Sequence, residues 1–325
     1  MRIHKKMLRA PPYFHALVER MAPREGNLSA ERWLGYEMVS ADATTVVGPG
    51  ADCADARIHT AMRLSDLALV EAKVTGVDVG ETLKNFACSP GQLWIGDRGY
   101  CNANGIEHAR DRGAAVLLRL NIHAMPVMRD AEGSPFHAAE LLAWMGAFPG
   151  HAVHERRVAF ETRSGSTIEA RIVARRLRDA EAVKAREWMR REHKAHEISA
   201  QMDQLAGYMV LITTSRLSAA QAIEAYRLRW QIELQFKRWK SLCGFDRMPN
   251  FLDDTIVAWI YVKVLLGLLL ERLASASAEV FPPERNEERR HRSETVTVAD
   301  LAAAVARHQA ALDGHRPMPD SVAAG

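Results

Sequence analysis

Asp42, Asp97 and Glu233 are three carboxylates on three separate segments, and the last stands in the run YRLRWQIELQFKRWK beside Tyr226, Arg229 and Lys240. Carboxylates from three elements, brought together, make a hard oxygen site suited to Mg²⁺ or Mn²⁺. Two such ions can clamp the attacking and leaving oxygens of an in-line phosphoryl displacement. Arg229 and Lys240 would then hold phosphate oxygens next to the metals. The chemistry suggested is metal-assisted phosphoryl transfer.

Each acid needs an element to place it. Asp42 falls inside a strand-like run, YEMVSADATTVV, between apolar neighbours. Asp97 follows a short apolar strand and opens the turn GDRG. That position is the carboxyl end of a strand, where open α/β sheets bind ligands. Glu233 is predicted on a helix running through Tyr226 to Lys240. At about 100° per residue, with Tyr226 at 0°, Arg229 falls near 300°, Glu233 near 340° and Lys240 near 320°. These four share an arc about 60° wide, flanked by Ile223, Trp230 and Leu234 on one side and Ile232, Phe236 and Trp239 on the other. Arg227, Gln231, Gln235 and Arg238 take the opposite, wet face. A charged stripe between two apolar ones becomes enclosed, and enclosed charge is expensive unless paired or bound to something. The same spacing also fits a simple Arg229–Glu233 ion pair on a solvated face, and Asp97 also fits a plain turn aspartate.

Composition bounds the class. The chain has 325 residues, 48% hydrophobic, enough for a sizeable core in one or two domains. A formal net charge of +3 does not by itself announce a nucleic-acid binder. From Arg156 to Lys194, however, twelve Lys/Arg face six Asp/Glu, which suits either a solvated helix or a phosphate backbone. Cys53, Cys88, Cys101 and Cys243 form no CxxC pair and have no zinc-type histidine spacing, so a structural metal is not expected. Reduced thiols and a basic N-terminal stretch without an apolar signal core fit a cytoplasmic chain. The most apolar run, 256–270, carries Lys263 and is too short to span a membrane.

Strands are predicted over 36–47, 57–64 and 67–75, a short helix over 80–87, a strand at 93–95, a helix over 104–112 and a strand over 114–120. Three hairpin-type strands followed by crossover units imply a mixed sheet with helices on its faces, as in a ribonuclease-H-like core. The block 121–206 reads as a β-rich insertion with strands over 151–160 and 167–174 and a charged helix or helix pair over 179–204. A strand over 208–214 follows, then the helix capped by Ser218, an apolar helix over 254–274, a charged linker over 282–295 and a last helix over 299–312. The expected division is a short N-terminal segment, 1–33; a first core part, 34–120; the insertion, 121–206; a second core part, 207–275; and a linker, helix and tail, 276–325.

These residues resemble a known family. Tyr226-x2-Arg229-x3-Glu233-x6-Lys240 matches the YREK signature of DDE transposases of the insertion-sequence-four family, within the helix LSAAQAIEAYRLRWQIELQFKRWK. Asp42 in SADATTV and Asp97 in WIGDRGY resemble that family's first and second catalytic aspartates, with 54 residues between them and 135 more before the glutamate. The resemblance covers about 35–275. It implies that Asp42, Asp97 and Glu233 bind two Mg²⁺ or Mn²⁺ ions, and that Tyr226, Arg229 and Lys240 contact DNA. It implies hydrolysis at transposon ends, strand transfer into target DNA (cut-and-paste transposition), a homodimer in a synaptic complex, and action at the bacterial nucleoid. An aromatic that holds a flipped base is also implied, with Trp188 and Tyr208 as candidates. Relatives usually carry an end-recognition domain before the first aspartate, and only 41 residues precede Asp42 here, so a truncated copy with little preference for its own ends is one expectation. The alternatives are an inactive DNA-binding remnant that interferes with full-length relatives, and a nuclease without strand transfer.

Overall fold

A run buried on both faces at 38–41 makes Glu37–Val46 the first strand, β1, in a computed structural model that describes residues 11–21, 32–47, 56–148, 150–192, 198–244 and 253–280. β1 pairs antiparallel with β2 (Ala56–Arg63), which pairs antiparallel with β3 (Leu69–Thr75). On its other side β1 runs parallel to β4 (Gln92–Gly96), and β4 runs parallel to β5 (Ala115–Arg119). Parallel neighbours need a crossover, and helix α2 (Ala103–Asp111) supplies it; α1 is Pro11–Met21. This is the expected ribonuclease-H-like mixed sheet. The 80–87 stretch, predicted as a helix, forms only a 3₁₀ turn at Leu83–Asn85.

The insertion does not stand apart from this sheet. It contributes β6 (Met128–Asp130), β7 (Pro135–Phe136), β8 (Val153–Glu161) and β9 (Thr167–Arg176), and β10 (Tyr208–Thr213) pairs with β5 on one edge and β9 on the other. The result is one ten-stranded sheet in the order β3-β2-β1-β4-β5-β10-β9-β8-β6-β7. Between β7 and β8 lies α3 (Ala138–Gly146), a helix absent from the sequence prediction, begun where the His137 N–H donates to Glu140 Oε2 at 2.9 Å. The charged stretch after β9 is two helices, α4 (Asp179–Glu192) and α5 (Ala200–Leu205). Several cations of the 156–194 stretch are engaged in ion pairs, among them Arg156–Asp130 at 2.7 Å, Arg171–Glu155 at 2.7 Å and Arg186–Asp203 at 3.4 Å.

Helix α6 (Ala219–Arg227) starts at Ser218, whose hydroxyl accepts from the Gln221 N–H at 3.3 Å while Gln221 Oε1 accepts from the Ser218 N–H at 2.8 Å. α7 (Trp230–Cys243) ends at Gly244, where φ is 56°, a left-handed C-cap that suits glycine. Lys263 of α8 (Asp253–Val280) donates to the Gly244 carbonyl. A second compact unit begins at Leu273; of it only the end of α8 is described. The predicted linker over 282–295 and helix over 299–312 lie outside the described residues. So does Cys53, while Cys88, Cys101 and Cys243 are buried free thiols. Among the described residues no helix is long and apolar enough to cross a membrane.

The two faces of the sheet carry separate cores. Met38, Leu93, Ile95 and Leu117 pack with Ile223, Ile232, Phe236, Trp239 and Ile260 of the C-terminal helices. Val39, Trp94, Val116 and Ile212 pack with Phe86, Tyr100, Ile106 and Leu141 on the other face. His59 of β2 is fully buried between Thr75 Oγ1 (3.0 Å) and Asn85 Nδ2 (3.3 Å). Burial, then the nearby charges of Arg57 and Lys73, push its pKa down to about 4. The folded state therefore keeps His59 neutral where the unfolded chain protonates near 6.5. Its stabilising contribution is complete above the unfolded pKa and drains away as pH falls from about 6.5 toward 4. We expect it to cost about 2 kcal/mol between pH 7 and pH 5. Urea unfolding at the two pH values checks this: the difference should shrink in His59→Gln, and an unchanged difference would remove His59 as the cause.

Candidate active site

The parallel register of β1 and β4 aligns Glu37 with Gln92 and Ser40 with Ile95. Two further steps along each chain bring Asp42 level with Asp97. Side chains alternate, so both lie on the face of Met38, Leu93 and Ile95, the face covered by α6, α7 and α8. Adjacent strands are about 4.8 Å apart. The β4–β5 register, Gly96 with Leu118, then sets Arg119 beside Asp97. A row of acid, acid and guanidinium therefore crosses three parallel strands, from the middle of β1 to the carboxyl ends of β4 and β5. α7 lies against β1 and carries Glu233 over this row.

Electrostatics couple the acids. Burial, then repulsion from Asp97, push the Asp42 carboxyl up to about 7, with a further push from Glu233. The Ala43 N–H, donating to Asp42 Oδ1 at 2.8 Å, and the charge of Arg229 pull in the opposite direction. Asp97 Oδ1 accepts from the Gly99 N–H at 2.9 Å, so Asp97 is a turn aspartate as well as Asp42's neighbour. Glu233 Oε1 is held by Arg229 at 2.5 Å, an i,i+4 pair that is half-buried rather than solvated. The Arg229 guanidinium also lies 5.8 Å from the centre of the buried Tyr226 ring, and its Nε is enclosed without a hydrogen-bond partner.

The helix bearing these groups is not continuous as predicted. It breaks at Leu228 and Arg229 between α6 and α7. Across the break Arg229 N–H bonds to the Tyr226 carbonyl, Gln231 N–H to Leu228 and Ile232 N–H to Arg229, all three-residue steps. Such steps turn about 120° per residue rather than 100°, so the projected faces shift. Gln231 and Gln235, expected on the wet side, are 9% and 4% exposed, and Gln235 donates to Glu271 of α8. Trp230, expected on an apolar flank, is 46% exposed. Lys240 is exposed on α7, and Arg227 is exposed beside Glu224 at 3.3 Å.

Sequence reasoning missed three groups. Arg119 looked like the last residue of a buried strand; its guanidinium donates to the Tyr208 carbonyl at 2.9 Å, and burial pushes its pKa down to about 10. Glu81 was hidden in a segment read as helix, and Tyr100 stood in the run WIGDRGY with no role of its own. Burial, then Asp97, raise the Glu81 carboxyl above its ordinary value. Only strand register and loop packing reveal these neighbours. Of the two aromatics considered for base contact, Trp188 is 57% exposed on α4 and Tyr208 is half-buried at the start of β10.

The donors suit a hard divalent cation in kind. They are carboxylate oxygens, and Asp42 is held near 7 by burial and by like charge, a condition that a cation between the acids relieves. In this conformation they are not drawn into one ligand sphere: among the described residues no group of three Asp, Glu, His or Cys stands ready to hold a metal.

Residues 33–266 match the model of the transposase DDE domain. The chain is 26% identical over 259 residues to the transposase for insertion sequence element IS421 of Escherichia coli, covering 77% of this chain and 68% of that protein. The InsL protein for element IS186A of Escherichia coli strain K12 shares 26% identity over 259 residues, 77% of this chain and 69% of its own length. The transposase for element IS231F of Bacillus thuringiensis subsp. israelensis shares 25% over 211 residues, 59% of this chain and 43% of that protein. With the match spanning both parts of the core and the row at its centre, the chain belongs to the transposase DDE domain family, DNA-processing enzymes.

Proposed function

We propose that the chain transposes an insertion sequence by cut-and-paste, through divalent-metal-dependent phosphoryl transfer at Asp42, Asp97 and Glu233, as a member of the YREK-bearing insertion-sequence-four group. The observation that carries this reading is the register that sets Asp42 level with Asp97 under the helix of Glu233. Mg²⁺ or Mn²⁺, when bound, would neutralise charge on the transferring phosphate and activate the attacking oxygen. Asp42 and Asp97 would hold it from the sheet and Glu233 from above. Arg229, released from Glu233, and the exposed Lys240 would take backbone phosphates, with Arg119 beside Asp97 extending that cationic surface. Tyr226 would buttress Arg229 through its ring. The substrates are duplex DNA at the element's ends and at the target, joined in a homodimeric synaptic complex. The test is in vitro: purified chain, a duplex carrying the element's end, and Mg²⁺ or Mn²⁺. Nicking at the end followed by joining to a target plasmid supports the proposal, and nicking without joining reduces it to a nuclease.

The phosphate role has its own expected result. Lys240→Ala should weaken DNA binding about equally across sequences and lower the magnitude of the slope of log affinity against log salt by about 0.9. Fluorescence anisotropy on end-containing and scrambled duplexes at several salt concentrations measures both. A changed sequence preference with an unaltered slope would assign Lys240 to base reading instead.

A further inference from the structure

Two loops meet at the carboxyl edge of β4. The first leaves β3 and reaches Glu81, just before Thr82 caps the 3₁₀ turn. The second runs from Asp97 to Asn102, the N-cap of α2. Asn102 joins them: its side chain donates to the Glu81 carbonyl at 3.4 Å and accepts from the Gly105 N–H at 2.8 Å. The backbone of Glu81 is thereby tied to the start of α2.

Gly99 separates the two carboxylates. A Cβ there would overlap Glu81 Oε2 and lie 3.2 Å from Asp97 Oδ1, the same oxygen that the Gly99 N–H holds. The acids face one another across a residue without a side chain, within about 5 Å, the span one oxygen-ligated divalent ion bridges with ligand distances of 2.0–2.6 Å. Among the described residues the Glu81 carboxylate has neither a hydrogen bond nor an ion pair. Arg57, whose charge reaches it, donates instead to the Val79 carbonyl at 2.8 Å.

Tyr100 supplies an independent observation. It is fully buried, its hydroxyl has no hydrogen-bond partner, and that hydroxyl lies in the field of Asp42, Glu81 and Asp97. An enclosed hydroxyl without a partner is costly. A cation held between Glu81 and Asp97 would lower the negative potential at that hydroxyl.

We propose that Glu81 is a fourth carboxylate of the metal site, binding the same divalent ion as Asp97. This rests on the assignment of Asp42, Asp97 and Glu233 as ligands. Gly99 is then small because a side chain would push the Glu81 carboxylate off the ion.

The experiment is Mn²⁺ binding to the full 325-residue chain without DNA, by electron paramagnetic resonance of free Mn²⁺, with thermal unfolding followed in parallel. Glu81→Gln, nearly isosteric, should weaken Mn²⁺ by about 10–100-fold with the melting temperature unchanged. Gly99→Ala should weaken it in the same direction, and Glu81→Asp should retain part of the affinity. Asp97→Asn is the control. If Asp97→Asn loses Mn²⁺ while Glu81→Gln binds as the parent does, the fourth ligand is overturned and the three-acid site stands. If Asp97→Asn also binds as the parent does, the three-acid site fails with it.

Discussion

Asp42→Ala, Asp97→Ala and Glu233→Ala should each lower DNA cleavage by about 10³-fold or more while leaving most of the DNA affinity, if the three acids act as proposed. The expectation follows from placement. Asp42 and Asp97 stand at one level on adjacent parallel strands, and Glu233 rides the helix above them, so each carboxylate comes from its own element. Removing one ligand forfeits several kcal/mol of transition-state charge stabilisation, and each 1.36 kcal/mol is a factor of ten. Binding survives because phosphate contacts come from cations on other elements. The three variants differ instructively. Loss of Asp42 removes a group whose burial and like-charge repulsion are unfavourable, so that fold should be no less stable than the parent. Loss of Glu233 leaves Arg229 half-buried without its pair, so that fold should soften. End-labelled duplex cleavage in Mg²⁺, with anisotropy and thermal melts on the same preparations, reads all three quantities. Normal cleavage by Asp97→Ala would remove it from the site.

Trp239→Ala is expected to be the most damaging change away from the acids, destabilising by about 3–5 kcal/mol. Trp239 is 2% exposed at the contact of α7 with α8, where a Cβ on Gly267 would lie only 2.8 Å from the indole nitrogen. That nitrogen donates to Glu271 Oε1 at 2.9 Å, and burial already pushes the Glu271 carboxyl up. Truncation opens a cavity and removes a donor from a buried acid together. The helix that loses its backing also carries Glu233, so cleavage should fall with stability. Trp239→Phe separates the effects by restoring most of the volume without the donor. Denaturant unfolding of both variants decides: a loss below 1 kcal/mol in the alanine variant would show that α8 does not hold α7 in place.

What was legible in the sequence was what period and end signals specify. The strand-like run of 37–46, the continuous apolar run of 115–119 and the cap at Ser218 became elements within a residue or two of their predicted bounds. The order of those elements sufficed for the mixed sheet. Three things were not legible. The break at Leu228–Arg229 has no proline or glycine to mark it, and helical projection ran straight through it, misplacing Gln231, Gln235 and Trp230. α3 is a nine-residue helix whose apolar run looks like any buried segment. Neighbours that depend on register or loop packing, Arg119 and Glu81 beside Asp97, leave no trace in one dimension. The Asp42–Asp97 pairing was read from resemblance; the register supplies its physical reason.

The position of β10 has a consequence for how this chain can be shortened. From Tyr208 to Thr213 its backbone is matched residue for residue to Arg176–Arg171 of β9, while its other edge closes on β5. Excising 121–206 would therefore not unplug a module. It would strip one side of β10 and leave a row of unsatisfied amides and carbonyls on a strand reading YMVLIT, an apolar edge of the kind that recruits other chains. A trimmed catalytic core made by that deletion should come out as aggregate, and a soluble miniature would need a charged or proline-bearing replacement for β9 as its new border.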